Sequence, residues 1–196
     1  MSKDNFVIQN EVLVEYVGSD QHVEVPSQVC AIGEWAFNGC AQMKSVSMPC
    51  NISKIDKGAF FKCTALEQVN IPGNVEYVGY SAFRGCTNLV TVEYWDSEYE
   101  CEKTIDECAF AECESLEAII LGIDLVSICD SAFRGCTNLK AVCYLGSEED
   151  FSWVEIGDNN ECLRNATLYL YSDKKPQKKG NYWYYQKGKI VFWENN

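Results

Sequence analysis

The chain reads Trp35-Ala36-Phe37-Asn38-Gly39-Cys40, and the same short pattern returns four more times at nearly fixed spacing. Successive phenylalanines of the pattern are 23, 23, 27 and 23 residues apart; they are Phe37, Phe60, Phe83, Phe110 and Phe133. A cysteine follows each phenylalanine by three residues, which gives Cys40, Cys63, Cys86, Cys113 and Cys136. A period of this length is typical of a solenoid, in which each repeat buries its apolar face by stacking on its neighbours. We therefore predict that these phenylalanines and cysteines form the structural core.

Each copy of the pattern leads into a short predicted strand. After Cys63, for example, come Leu66, Val69 and Ile71. Residues two apart on a strand face the same side, so Val69 and Ile71 should point inward and Asn70 outward. Comparable triplets at 23–25 and 166–168 extend the ladder, which predicts about seven rungs of one parallel sheet. The Ala-Phe-x-x-Cys segments are too short for long helices and predict short helical turns on the side opposite the sheet.

The repeat as a whole resembles the BspA-like leucine-rich repeat family, the bacterial surface-antigen type. The best matching copy runs from Pro49 through Ile71, and the next from Pro72 through Tyr94. The resemblance covers about residues 23–170 and implies a leucine-rich repeat solenoid. It also implies binding of other proteins, in some members host matrix proteins, and it carries no shared catalytic residues.

Both ends of the chain differ from the repeat and predict caps. Residues 6–16 read as two short strands, and residues 182–193 read as two aromatic strands around Gln186-Lys187-Gly188-Lys189. We therefore predict an N-terminal hairpin cap at 1–22, the solenoid at 23–171, a linker at 172–181 and a C-terminal aromatic hairpin at 182–196. The hairpin is expected to cover the open end of the stack, and carbohydrate or peptide binding by its aromatic residues is the alternative.

Composition excludes several classes of partner. The net charge is −13, although residues 173–196 carry six lysines and only two acids. An acidic surface argues against nucleic acid and against anionic membranes, and no apolar run is long enough for membrane insertion. The start of the chain does not resemble a signal peptide. We expect a cytoplasmic protein if Met1 is the native start, and a cell-surface or secreted protein if a signal sequence has been removed.

Residues that could carry chemistry are few. His22 is the single histidine, so a Ser-His or Cys-His catalytic system could be built only through it. Twelve cysteines without a C-x-x-C motif suit a reducing compartment, and zinc at Cys101, Cys108 and Cys113 would match no common ligand spacing. We predict no catalytic residue, no metal site and no cofactor. An enzyme or metal protein that uses the irregular cysteines is the competing class.

Two irregularities indicate candidate binding residues. The outward positions of the later strands are apolar, which predicts an exposed patch for a protein partner or a second copy, unless the tail or another subunit covers it. The patch consists of Ala118, Ile120, Ala141, Cys143 and Tyr169. The repeat after Cys86 is four residues longer than the others, and the excess brings Trp95 and Tyr99 into a loop among acidic residues. The sequence thus predicts a non-catalytic protein-interaction module, with a cell-surface adhesin as the alternative.

Overall fold

The computed structural model describes residues 5–97 and 101–193, which form a solenoid with two sheets. In chain order the elements are β1 (Phe6–Gln9), β2 (Val12–Tyr16), β3 (His22–Glu24), β4 (Ala31–Ile32), β5 (Ser45–Ser47), β6 (Lys54–Ile55), β7 (Gln68–Ile71), β8 (Tyr77–Val78), β9 (Thr91–Tyr94), β10 (Lys103–Ile105), β11 (Ala118–Leu121), β12 (Leu125–Ile128), β13 (Ala141–Tyr144), α1 (Glu148–Ser152), β14 (Glu155–Ile156), α2 (Glu161–Asn165), β15 (Thr167–Tyr171), β16 (Tyr182–Gln186) and β17 (Lys189–Phe192).

The predicted ladder forms the larger sheet. Its nine strands lie in the order β17-β16-β15-β13-β11-β9-β7-β5-β3, and all neighbours from β3 to β16 are parallel. The register places equivalent positions side by side, as in Val69 beside Val92 and Ile119 beside Val142. The solenoid of about seven rungs, with parallel strands and few helices, is therefore confirmed.

A second sheet, which the sequence analysis did not predict, runs along the other side of each rung. Its eight strands lie in the order β1-β2-β4-β6-β8-β10-β12-β14. The inner strands are only two to four residues long, and each carries at least one buried apolar residue, such as Ile55 on β6 and Val78 on β8. The first rung is closed by the antiparallel hairpin of β1 and β2, whose Tyr16 continues the ring stack from Phe37 at a centroid distance of 5.2 Å.

The phenylalanine column is the centre of the core, as predicted. All five rings are fully buried, and successive rings stack with centroids 4.8 to 5.3 Å apart and planes within 13° of each other. The segments that carry them are turns rather than α-helices. Their backbone groups also bond from rung to rung, for example from the Phe60 N–H to the Ala82 carbonyl at 2.7 Å.

The repeat cysteines add a hydrogen bond to this core. Each thiol donates to the carbonyl of the phenylalanine one rung earlier, at 3.1 to 3.2 Å, in Cys63, Cys86, Cys113 and Cys136. These four side chains are buried, and Cys40 in the first copy is partly buried against the core. A buried thiol is a small apolar group with a weak donor, so it fills the space and satisfies a carbonyl lone pair together.

The side chain of an asparagine takes the place of the next rung beside the last copy of the pattern. In earlier rungs the phenylalanine N–H donates to an alanine carbonyl of the next rung, and Phe133 has no such neighbour. Asn160, which is fully buried, accepts that bond through Oδ1 at 2.9 Å. Its Nδ2 donates to the carbonyls of Cys129 and Gly157 at 2.9 and 3.0 Å. The amide side chain therefore replaces the backbone of a missing rung.

No helix in the described part of the chain is long and apolar enough to cross a membrane. The antiparallel pairs β1–β2 and β16–β17 lie inside the predicted segments 1–22 and 182–196. The domain boundaries themselves stay a prediction.

Candidate interaction surfaces

The C-terminal hairpin of β16 and β17 lies across the outward face of the nine-stranded sheet. β16 pairs with β15 through Leu170–Tyr182 and Tyr171–Trp183, and the hairpin then crosses back over the sheet. The Tyr185 hydroxyl donates to Glu93 on β9 at 2.9 Å, although β13 and β11 separate β9 from β15. Aromatic side chains attach the hairpin, since Trp183 is fully buried and Phe192 packs on Tyr169, whereas no lysine of the described residues 173–193 forms an ion pair.

Trp183 covers the apolar patch that the sequence analysis placed at the surface. Its side chain is fully buried, and its indole N–H donates to the Tyr144 carbonyl at 3.2 Å. Beneath it lie Ile120 and Cys143, both fully buried.

The prediction of an exposed patch is therefore wrong. Ala141 is 5% exposed, Ala118 and Tyr169 are partly buried in the same cluster, and the Tyr169 ring packs on Phe192 at 4.3 Å. Large apolar surfaces are covered in stable proteins, and here the chain's own tail supplies the cover. Coverage by the tail was the alternative that the sequence left open.

The four-residue insertion brings Trp95 to the edge of the same cluster. The indole N–H donates to Glu93 at 3.1 Å, and the ring packs edge-on against Tyr185 at 5.1 Å and lies 6.4 Å from Trp183. Trp95 is thus partly buried as a support of the hairpin. Tyr99, the other aromatic residue named for this loop, lies outside the described residues.

A buried ion pair anchors the loop from behind, and sequence reasoning missed it. Lys103 is 1% exposed, its Nζ lies 3.3 Å from Asp124, and it also donates to the Trp95 carbonyl. The ammonium lies 5.1 Å from the centroid of the Tyr94 ring. Lys103 pairs in register with Leu125, so it occupies a position that is apolar in the next rung. This departure from the repeat could have identified Lys103 in the sequence.

The hairpin leaves a polar groove open on the earlier strands of the sheet, and we call it the β7–β9 groove. Its floor is formed by Gln68 and Asn70 of β7 with Thr91 and Glu93 of β9, and Tyr185 stands at its side. Gly188, in the hairpin turn, closes the rim of a cavity of about 210 Å³. Burial and the neighbouring Glu93 carboxylate raise the pKa of Tyr185 to about 12, so its hydroxyl remains a donor at neutral pH.

The side chains on the groove floor are available for a ligand. Gln68 and Asn70 are exposed, and neither amide has a hydrogen-bond partner among the described residues. Each amide offers a carbonyl acceptor and two N–H donors, which suits recognition of peptide groups and polar side chains. The backbone beneath them is held on both sides by parallel strands, so the floor is rigid.

Half of the twelve cysteines are buried. All twelve are free, and burial raises the pKa of the thiols in Cys136 and Cys143 to about 12. A thiolate is the reactive form, so these side chains are poor nucleophiles. Of the three cysteines weighed for zinc, Cys113 is directed into the core, where its Sγ donates to the Phe83 carbonyl. Within residues 5–97 and 101–193, no group of three or more His, Cys, Asp or Glu side chains could hold a metal ion.

His22 lies on β3, at the far edge of the outward face, where its Nδ1 is 2.8 Å from the Ser45 hydroxyl. This contact joins the side chains of two neighbouring strands, β3 and β5.

Known structures share this architecture. A leucine-rich cell surface protein from Faecalibacterium prausnitzii A2-165 matches with a TM-score of 0.65 and 30% identity, over 74% of this chain and 38% of its own. The chain therefore spans well under half of that relative. A leucine-rich repeat protein of T. pallidum matches with a TM-score of 0.60 and 20% identity, over 80% of this chain and 85% of its own. One from Eubacterium ventriosum matches with a TM-score of 0.56 and 20% identity, over 97% of this chain and 56% of its own.

No curated protein matches the chain. The family model described as the BspA type leucine-rich repeat region, in six copies, matches residues 14–103. Its match begins in β2 and covers the rungs that supply the β7–β9 groove. The same rung geometry continues to Asn160 in the structure, although the model's match ends at Lys103. The repeats, the parallel strands and the structural relatives agree with this match, so residues 14–103 form a BspA-type leucine-rich repeat region, and the later rungs share its fold.

Proposed function

We propose that the chain is a non-catalytic protein-interaction module that binds its partner in the β7–β9 groove. The observation that carries the proposal is a polar floor whose Gln68 and Asn70 amides have no partner among the described residues, bordered by the Tyr185 ring of the chain's own hairpin. The leucine-rich repeat fold is consistent with protein binding. The acidic composition of the chain disfavours binding of nucleic acid and of anionic lipid. A protein is therefore the class of partner that suits this surface best.

The groove is best suited to an extended polypeptide segment. A cavity of about 210 Å³ is small for a drug-sized organic ligand, for which roughly 300–1,000 Å³ is usual, and its lining extends across the neighbouring strands β5, β7 and β9. Backbone amides of a bound segment can pair with Gln68 and Asn70, while Tyr185 supplies apolar contact area at low cost in conformational entropy.

Site-specific crosslinking tests this proposal. A photo-reactive amino acid at position 70 should capture a defined protein from extracts of the source cells. The same group at position 17, where Val17 is 57% exposed and distant in sequence from the groove, is the control. Gln68→Arg with Thr91→Arg, in a chain that keeps the photo-reactive group at position 70, should abolish capture by filling the groove with charge and volume. Equal capture from positions 70 and 17, or capture that survives both substitutions, would contradict the proposal.

A cell-surface adhesin is the second candidate, and it is favoured by the similarity to the F. prausnitzii relative, which is described as a cell surface protein. Labelling of intact source cells with an impermeable reagent tests the location. Binding of the purified chain to immobilised matrix proteins tests the role. An enzyme or metal protein is the remaining class, and elemental analysis of the purified chain, together with a screen for thiol-dependent activity, tests it directly.

A further inference from the structure

Trp153 is the most exposed large apolar side chain among the described residues. It is 78% exposed and lies at the C-terminal end of α1. The helix is attached to the solenoid by other groups, because Val154 is 8% exposed and the Phe151 ring packs on Tyr144 at 5.1 Å. Trp153 is therefore not needed to hold α1 in place. An exposed indole is informative when it belongs to a larger apolar patch, because single exposed apolar side chains are common on protein surfaces.

Two further apolar side chains extend the exposed surface beside Trp153. Ile123 is 55% exposed and Val126 is 38% exposed, and with Trp153 they form what we call the Trp153 patch. They line a cavity of about 360 Å³, together with Leu125, Tyr144 and Asp150. Val126 lies on β12 of the eight-stranded sheet, so the patch and the β7–β9 groove belong to different sheets of the solenoid.

The surroundings of the Trp153 patch are acidic. Asp150 lines the cavity, and Glu148 and Glu149 precede it in the exposed first turn of α1. No lysine or arginine is among the described residues that line the cavity. Burial, and after it the carboxylates of Asp150, Asp96 and Asp124, raise the pKa of Tyr144 to about 12.

We infer that the Trp153 patch is a docking site for a basic segment of another protein that carries one bulky apolar side chain. The apolar side chain would enter the cavity between Ile123, Val126 and Trp153, and lysines or arginines on either side would lie over the carboxylates of α1. Charge complementarity selects this partner, because an acidic rim repels acidic segments and attracts basic ones. Aromatic anchors in a desolvated pocket supply most of the affinity at such interfaces. The inference does not depend on the β7–β9 groove.

Synthetic peptides test the inference on the intact chain. The first peptide has nine residues, with a single leucine flanked by lysines; the second has serine in place of leucine, and the third has glutamates in place of the lysines. Calorimetric titration should show saturable one-to-one binding of the first peptide, weaker binding of the second and none of the third. The affinity should fall as salt is added. Ile123→Ser and Trp153→Ser should each weaken binding of the first peptide at least about tenfold.

Val17→Ser is the matched control, because Val17 is 57% exposed and Ile123 is 55% exposed, yet Val17 lies near the other end of the chain. It should bind the leucine peptide as the parent does. Equal binding by all four proteins would reveal general attraction to an acidic surface and overturn the inference. Absence of saturable binding would overturn it as well. A dimer of the parent chain, dissociated by Trp153→Ser in sedimentation, would assign the patch to a second copy instead.

Discussion

Two residues in each Ala-Phe turn adopt the left-handed backbone conformation, and they explain part of the repeat pattern. One precedes the alanine, as in Ser81 at φ 55°, and the other precedes the cysteine, as in Gly39 at φ 71°. The second position is glycine in three copies, Lys62 in one and Glu112 in another. A left-handed residue with a side chain costs about 1–2 kcal/mol, so the glycines relieve strain at a turn that the stacking requires.

Gly39→Ala is expected to lower the free energy of unfolding by about 1 kcal/mol. No described atom lies within 4 Å of the added Cβ, so the loss would come from backbone strain alone. Gly39→Asn is the control, because asparagine tolerates the left-handed region, and it should lose less. Urea unfolding measures both variants. An alanine variant as stable as the parent would show that the turn relaxes without cost.

At the level of the element, the last rung depends on Asn160. Its side chain satisfies the Phe133 N–H and two carbonyls in a site without access to water. Asn160→Leu leaves these groups unpaired and should destabilise the protein by about 2–3 kcal/mol. Asn138→Leu is a matched control, because the exposed Asn138 donates only one bond, to the Glu114 carbonyl at 2.8 Å. Thermal unfolding of the two variants should separate them clearly; equal losses would remove the special role of Asn160.

The C-terminal hairpin is held mainly by Trp183. Trp183→Ala should cost about 3–5 kcal/mol, and it should expose Ile120 and Cys143 to a hydrophobic dye. Trp153→Ala makes the same chemical change at a 78% exposed site, and its free energy of unfolding should stay within about 0.5 kcal/mol of the parent's.

Deletion of residues 173–196 should cause aggregation or a large loss of stability. A soluble truncated chain with the parent's stability would show that the hairpin is dispensable.

At the level of the whole molecule, the stacked phenylalanines join the rungs into one cooperative unit. Each rung contacts only its neighbours, so a defect in the middle separates two shorter stacks that are each less stable. Phe83→Ala should therefore cost about 3–5 kcal/mol and reduce hydrogen-exchange protection in the rungs on both sides. Phe61→Ala, at a partly exposed ring in the adjacent rung, should cost about 1 kcal/mol. A melting temperature of Phe83→Ala within about one degree of the parent's would contradict the core assignment.

The sequence predicted the rungs well because their residues obey a fixed period. The phenylalanine column and the inward pairs, such as Val69 and Ile71, follow from spacing alone. The second sheet was missed because strands such as Lys54–Ile55 are too short for alternation to be visible. Periodicity also cannot show that Lys103 replaces an apolar residue and is paired with Asp124.

The candidate surfaces could be predicted only in part, because they depend on contacts between distant residues. The apolar character of Ile120 and Cys143 was read correctly from the sequence, but their partner Trp183 lies some 40 to 63 positions away along the chain. Whether such a patch is exposed depends on the path of the hairpin. The β7–β9 groove is likewise created by Tyr185, which reaches Glu93 across 92 residues.

The hydrogen bond between Tyr185 and Glu93 can form only with the present number of repeats beneath the hairpin. The hairpin starts beside β15 and ends over β9, so its length matches the width of the four strands that it spans. Gain or loss of one unit between these strands would displace Glu93 by about 4.8 Å and separate the two groups. Repeat arrays tolerate changes in copy number when each unit contacts only its neighbours. In this chain the hairpin has a fixed length. The groove beside Tyr185 therefore forms only when the number of repeats between β9 and β15 matches that length.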